Sequence, residues 1–334
     1  MSIRLLRYVL ASLLLACGLF HPAPAHATIS CSQTSMTNLS FGVVDPQASN
    51  TSVTAILSYA CTNSNTGNGT RSATVCFSIG EPGGGQTNPR VMTSATGGNK
   101  LQFQLWQDAG HTIVWGSQFF GSPTPAQVNI TLAKGASTQN ATITLYGQVL
   151  GNQNTAAAGS YSDVYATGDT AVTVNEVSGS TAPGSCSGTQ TGNYFPFTVS
   201  ATIQKACTVT ANNVSLGAVA AGAGSSSGSN TLSVTCTNST PYYVGLQPSN
   251  GNTAGKGVMK GQSPGNQDTV PYTLYSNSGL STIWGNTATS TSAGNGVAGT
   301  GNGLSQTLTV YAQATSTDVT PDTYSDTVQV NVNY

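Results

Sequence analysis

One cysteine-bracketed module occurs twice in this chain, and that duplication constrains the fold more than any other feature. In the first copy Cys31 opens a segment that runs through Leu39-Ser40-Phe41-Gly42 and closes at Cys61-Thr62-Asn63-Ser64. In the second, Cys207 opens a segment running through Val214-Ser215-Leu216-Gly217 and closing at Cys236-Thr237-Asn238-Ser239. The echo continues to the end of each copy. Ile113-Val114-Trp115-Gly116 answers Ile283-Trp284-Gly285, Tyr146-Gly147-Gln148 answers Tyr311-Ala312-Gln313, and Tyr161-Ser162-Asp163 answers Tyr324-Ser325-Asp326. Order and rough spacing both survive, so the chain is a tandem repeat of one domain. Only the second copy has a strand-like run ahead of its first cysteine.

Residues 1–27 read as a cleaved export leader. Arg4 and Arg7 form a positive n-region, Tyr8 to Phe20 an apolar stretch, and Ala25-His26-Ala27 a small-residue cleavage site. A lipoprotein reading of Leu14-Leu15-Ala16-Cys17 competes, but Leu15 fits it poorly and a clean cleavage site follows. The apolar run falls short of the ~20 residues a membrane helix needs. The mature chain is therefore expected to start near Thr28 and to be exported.

Past the leader stand Cys31, Cys61, Cys76, Cys186, Cys207 and Cys236. An even set in an exported chain reads as a disulfide framework, although six cysteines allow 15 pairings and spacing alone cannot choose. The duplication can: Cys31–Cys61 and Cys207–Cys236 hold equivalent places, which leaves Cys76 for Cys186. Zinc is a poor alternative, since no pair has the close spacing such sites use. No cofactor is called for.

Charged residues make up 6% of the chain and nearly balance at a net charge of −1. That excludes a basic stripe for nucleic acid and an amphipathic basic helix for a membrane surface. Short alternating runs recur instead, as in Leu101-Gln102-Phe103-Gln104-Leu105 and Val328-Gln329-Val330-Asn331-Val332, with Gly, Asn, Pro and Ser clusters between them. In the first module strands are expected at 51–61, 73–79, 100–107, 127–132, 141–149 and 170–177. In the second they are expected at 231–236, 242–248, 270–276, 304–314 and 324–334. The fold class is all-β, two tandem immunoglobulin-like sandwiches at 28–193 and 205–334. Between them Phe195, Phe197, Val199, Ala201 and Ile203 share one face of a strand, with Pro196 at its start.

An enzyme is not indicated. Cleavage of the leader removes two of the three histidines and leaves His111 in an Asp-Ala-Gly-His turn, with no paired carboxylates and no phosphate loop.

The ordered set of motifs resembles the spore coat protein U family and its relatives, the subunits of archaic, Csu-type chaperone–usher pili. Carrying the resemblance are the first cysteines with their Asn38–Gly42 and Asn213–Gly217 turns, the Cys-Thr-Asn closures, and the terminal Tyr-Ser-Asp…Val-x-Val run. It implies sandwiches lacking a last strand, completed by a donor strand from a neighbour. Its implied partners are a periplasmic chaperone, an outer-membrane usher and the next subunit; its implied location is the cell surface, reached through the periplasm.

On this resemblance, Thr28-Ile29-Ser30 is too short to be donated, which points to the fibre tip. Phe197, Val199, Ala201 and Ile203 are expected to complete the first sandwich in cis. The second is expected to remain open, with Val328, Val330, Val332 and Tyr334 at its groove. Adhesion to an abiotic or host surface, leading to biofilm, would then fall to loops peculiar to the first module. These are the segment with Phe119 and Phe120 and the segment with Leu150, Ala156, Ala157 and Ala158, with 80–89 a third candidate. Phe119 and Phe120 could equally pack a local core. The competing readings are a non-adhesive spore-coat component or fibre adaptor, and a carbohydrate-binding tip lectin.

Overall fold

A computed structural model describes residues 29–48, 50–64, 69–82, 88–120, 124–135, 137–188 and 192–334. The leader with Cys17, residues 83–87 of the third candidate loop and residues 121–123 lie outside the described residues.

The first module contains β1 (Ile29–Met36), β2 (Leu39–Val43), β3 (Thr51–Asn63), β4 (Arg71–Ile79), β5 (Arg90–Ser94), β6 (Lys100–Trp106), β7 (Ala126–Leu132), β8 (Ser137–Val149), β9 (Gly159–Tyr165) and β10 (Thr170–Ser178), followed by β11 (Phe197–Ile203). One sheet runs β1-β3-β8-β6-β5-β9-β11-β2, and β10-β4-β7 packs against it. The second module contains β12 (Cys207–Ala211), β13 (Ser226–Cys236), β14 (Pro241–Pro248), β15 (Lys256–Gly261), β16 (Thr269–Tyr275), β17 (Val297–Thr300), β18 (Ser305–Ala314), β19 (Tyr324–Ser325) and β20 (Val328–Asn333). Its sheets are β12-β13-β18-β16-β15-β19 and β17-β14-β20.

The two topologies superpose strand for strand up to a point. The larger sheet of the first module is the larger sheet of the second with two strands added, β11 and β2. Equivalent tryptophans sit at the heart of each sandwich: Trp115 Nε1 donates to Phe77 O (2.7 Å) and Trp284 Nε1 to Val244 O (2.8 Å), both rings buried. Each indole thereby fills the core and meets its one donor.

Strand patterning explains the layers. In β11 the sequence Phe-Thr-Val-Ser-Ala-Thr-Ile alternates buried and half-buried residue by residue, the period of a strand with one face in a core. β4 breaks that rule, being buried on both faces from Ser72 to Ile79. Its inward residues meet the core, while its outward ones are small and polar because the connection after β10 covers them. Gly184 N donates to Thr74 Oγ1 (2.8 Å), Ser72 Oγ donates to Gly179 O (2.9 Å), and Cys76 is bonded to Cys186. The other disulfides are Cys31–Cys61 and Cys207–Cys236, each joining directly paired residues of adjacent strands.

The stretch 324–334 departs from expectation. It is not one strand but two, β19 pairing with β15 and β20 with β14, in different sheets. Asp326 turns its carboxylate back on its own chain, Thr327 N donating to Asp326 Oδ1 (2.8 Å), and the ladder breaks there.

Candidate functional site

In the first module β11 lies between β9 and β2. It pairs antiparallel with β9 over its whole length, Phe197 opposite Tyr165 through Ile203 opposite Gly159, and parallel with β2. Phe197, Val199, Ala201 and Ile203 are all buried in the first core, and the Phe197 ring stacks on Tyr165 at 4.6 Å. Burial of four such side chains contributes on the order of 1.5–3 kcal/mol for each larger one. The linker strand is thus an integral part of the first sandwich.

Among the described residues no strand occupies the same place in the second module. Residues 212–217 form no strand there; they lie along β13, held by Asn230 Nδ2 to Asn213 O (2.7 Å) and Ser226 Oγ to Leu216 O (2.6 Å). Between that segment and β19 runs a groove of about 410 Å³ lined by Leu232, Leu246, Met259, Tyr272, Leu274 and Val310, among others. Equivalent residues measure the difference. Leu39, Phe41, Met92 and Tyr161 are buried in the first module, whereas Val214, Leu216, Met259 and Tyr324 are only half-buried in the second.

The positions named from sequence distribute unevenly over this groove. Val328 and Val330 line it. Val332 packs on the second core without lining the groove, and Tyr334 is 45% exposed, outside it. This follows from the break at Asp326, which carries β20 into the opposite sheet. The principal walls come from β13, β16 and β18, whose inward residues gave no sign in sequence of being uncovered.

Both grooves carry an aspartate at matching positions. In the open one, the Tyr272 hydroxyl donates to Asp326 Oδ2 (2.6 Å); burial, reinforced by this carboxylate, pushes the Tyr272 phenol well up. In the filled one, Asp163 stands directly opposite Val199 and its Oδ2 is buried without a partner. Burial raises the Asp163 carboxyl to about 6. The Tyr165 hydroxyl and Arg90 pull it down, while Asp169 adds to the rise.

A carboxyl raised above its unfolded value binds its proton more tightly in the folded state. Its stabilising contribution is therefore full below about pH 4 and lost as pH rises through 6. The shift corresponds to at most ~3 kcal/mol, which the partial exposure of Asp163 to solvent reduces to ~1–2 kcal/mol. Asp163→Asn is accordingly expected to stabilise the first module at pH 7 and to leave it unchanged at pH 4. Thermal melts across that range are the check; a constant gap between variant and parent would exclude Asp163 as the titrating group.

Of the candidate adhesive loops, the segment after Trp115 is fastened to the smaller sheet. Gln118 N meets Ser78 Oγ (3.3 Å), and Thr173 Oγ1 donates to Gln118 Oε1 (3.3 Å). Phe119 and Phe120 are both half-buried, the Phe120 ring lying against Gly80 so closely that a Cβ there would come within 2.5 Å of it. The expectation of an exposed 150–159 segment needs correction. Ala156 and Ala157 are buried, at 1% and 4% exposure, and Leu150 and Ala158 are half-buried. Ala156 packs in the first module's own core, whereas Ala157 bridges to Asn238 of the second module, whose Nδ2 donates to Thr155 O (2.6 Å). This segment belongs to the junction between modules.

His111 sits at φ 54° in a turn capped by Asp108, which accepts from Thr112 N and Ile113 N (3.0 and 2.8 Å). Those bonds hold the Asp108 carboxyl below its usual range, Ile113 N being the largest cause. Among the described residues no group of three or more His, Cys, Asp and Glu side chains converges as a metal site.

Two β-sandwiches in tandem, the first completed by β11 and the second without an equivalent of it, define the class of protein. The chain belongs to the Spore Coat Protein U domain family, whose sequence model matches residues 18–167 and 193–331. No curated protein matches it. Among solved structures it is similar to the CsuC–CsuE chaperone–tip adhesion subunit pre-assembly complex from archaic chaperone–usher Csu pili of Acinetobacter baumannii. That match has 17% identity, covers 91% of this chain and 100% of that one, and has a TM-score of 0.46. It is also similar to the CupB6 tip adhesin from Pseudomonas aeruginosa, at 12% identity, 91% and 94% coverage and a TM-score of 0.35.

Proposed function

We propose that this chain is the tip adhesin of a chaperone–usher pilus, joined to its fibre through donor-strand complementation of the second module. The observation that carries the reading is the contrast between the two grooves. The first is filled by β11, so it accepts no further strand, and β11 is used up within the chain. The second presents an apolar trough and the unpaired edge of β19, a surface that a soluble protein must cover. A subunit closed at one module and open at the other accepts one neighbour and ends the assembly.

Before assembly a periplasmic chaperone would lend the missing strand, and at the outer-membrane usher the next subunit would replace it. Attachment, and biofilm with it, falls to the first module. There Phe119 and Phe120 lie in a segment that the second module replaces with the shorter Asn286-Thr287-Ala288-Thr289 run. Immunogold labelling of purified fibres tests the assignment. The expected result is one label at one end of each fibre, and labels repeating along the shaft would instead make the chain a structural subunit.

A further inference from the structure

Among the described residues Arg90 is the charged side chain buried outright, at 0% exposure, and the grooves do not account for it. It opens β5, and its guanidinium is met on every side. Nη2 donates to Ile79 O (3.2 Å) and Trp115 O (2.8 Å). Nη1 donates to Gly80 O, to Glu81 Oε1 (2.8 Å) and to Tyr165 OH (3.2 Å), and Nε to Gln104 Oε1 (3.2 Å). Burying a cation is tolerable only when its donors are met in this way, and only the planar fork of arginine reaches several carbonyls at once.

The partners are not scattered through the core. Ile79, Gly80 and Glu81 are the root of the 80–89 loop, Trp115 is the root of the segment carrying Phe119 and Phe120, and Tyr165 ends β9 ahead of the turn into β10. The three loops also touch one another: Gly80 N donates to Asp169 O (2.7 Å), Ile79 N to Gly116 O (2.9 Å), and Phe120 lies on Gly80. All three leave the module at the end of β11 opposite Ile203, where the chain passes on to the second module, about 20 Å away along a seven-residue strand.

The second module supplies the comparison. Register puts Arg90 opposite Phe103 and, at the equivalent pair, Gly257 opposite Tyr272. The Tyr272 ring fills the space above Gly257, so no side chain fits there. The module without the long phenylalanine loop also lacks the arginine.

We infer that Arg90 is a positioning residue that gathers the roots of these three loops and fixes the surface on which Phe119 and Phe120 are presented. Its functional half rests on the adhesion reading above; its structural half does not. Hydrogen exchange on the full chain carrying Arg90→Met tests the structural half. The amides of Ile79, Gly80 and Gly116 are expected to exchange at least ~10-fold faster, while those pairing β3 with β8 stay within about twofold of the parent. Unchanged exchange at the loop roots, or a rise shared equally by β3 and β8, would overturn the inference and make Arg90 an ordinary core residue. If Arg90→Met does not fold, Arg90→Lys, which keeps the charge but not the fork, is read by the same two outcomes.

Attachment of the full chain to polystyrene tests the functional half. Both Arg90→Met and the pair Phe119→Ser with Phe120→Ser are expected to lower it about tenfold. Attachment that survives loss of both phenylalanines overturns the adhesion reading itself. Attachment lost with the phenylalanines but retained in Arg90→Met, with its loops loosened, overturns only the role given to Arg90.

Discussion

Replacing Val199 with aspartate is expected to unfold the first module while leaving the second intact. Val199 is fully buried near the middle of β11 and faces Asp163 across the strand pair. The substitution puts a second carboxylate into an apolar wall, beside one that already lacks a partner for Oδ2. An unpaired buried charge costs several kcal/mol, and like charges directly opposite in a sheet add to it. Against a domain stability of ~5–15 kcal/mol, that is enough to eject the strand. Ejection would uncover Leu39, Phe41, Tyr161 and Tyr165 together, so the loss is cooperative. Limited proteolysis should then digest residues 29–203 and spare the second module. Ser200→Asp, one residue along on the opposite face, is the control and should change stability by less than ~1 kcal/mol. A first module that resists protease in Val199→Asp would mean that β11 is dispensable to it.

The second large effect is expected from filling the other groove. A synthetic peptide with the sequence of residues 195–204 matches in kind what the trough lacks, a run of alternating apolar residues with a free edge on each side. At a hundredfold excess over its dissociation constant, a ligand of the folded state adds about 2.7 kcal/mol. For a module of this size that raises the melting temperature by roughly 10 °C. The first module, whose groove is occupied, should not respond. A peptide with aspartate at the position of Val199 should be inert, because its carboxylate would be buried in the wall formed by Leu232, Leu274 and Val310. Calorimetry resolves the two modules, and a shift confined to the first would reverse the assignment of which groove is open.

How far the sequence reveals this arrangement depends on whether a residue's surroundings are local. The strands were legible because Leu101-Gln102-Phe103-Gln104-Leu105 and its like carry their period in a few consecutive residues. Two copies of one module made the reading firmer than either alone. The split at Asp326 was not legible, since nothing in Tyr-Ser-Asp-Thr-Val marks a change of sheet; it follows from which neighbour each half finds. Ala156 and Ala157 looked like an exposed cluster among Asn, Gln and Gly, yet Ala156 is buried in the first core and Ala157 meets Asn238, far away in the chain. Nothing in its neighbours Pro89 and Val91 marks Arg90 as buried. Its burial depends on carbonyls from β4 and from the segment before β7, which only the fold brings together. A single signal was available in retrospect: where the first module has arginine before Val-Met, the second has glycine.

The way β11 is held also determines how the chain bears a pull. The strand leads through Gln204, Lys205 and Ala206 into Cys207, which is clamped to Cys236. Thr237 grips the passage, its Oγ1 accepting from Ala206 N and donating to Gln204 O, each at 3.1 Å. Tension arriving from the second module therefore runs lengthwise down β11. Its ladders to β9 and β2 flank it on both sides, so the hydrogen bonds are loaded in shear, all sharing the force, and cannot be peeled apart one at a time. A strand borrowed from the linker makes the joint between the two modules a tensile one, strongest along the axis of that strand.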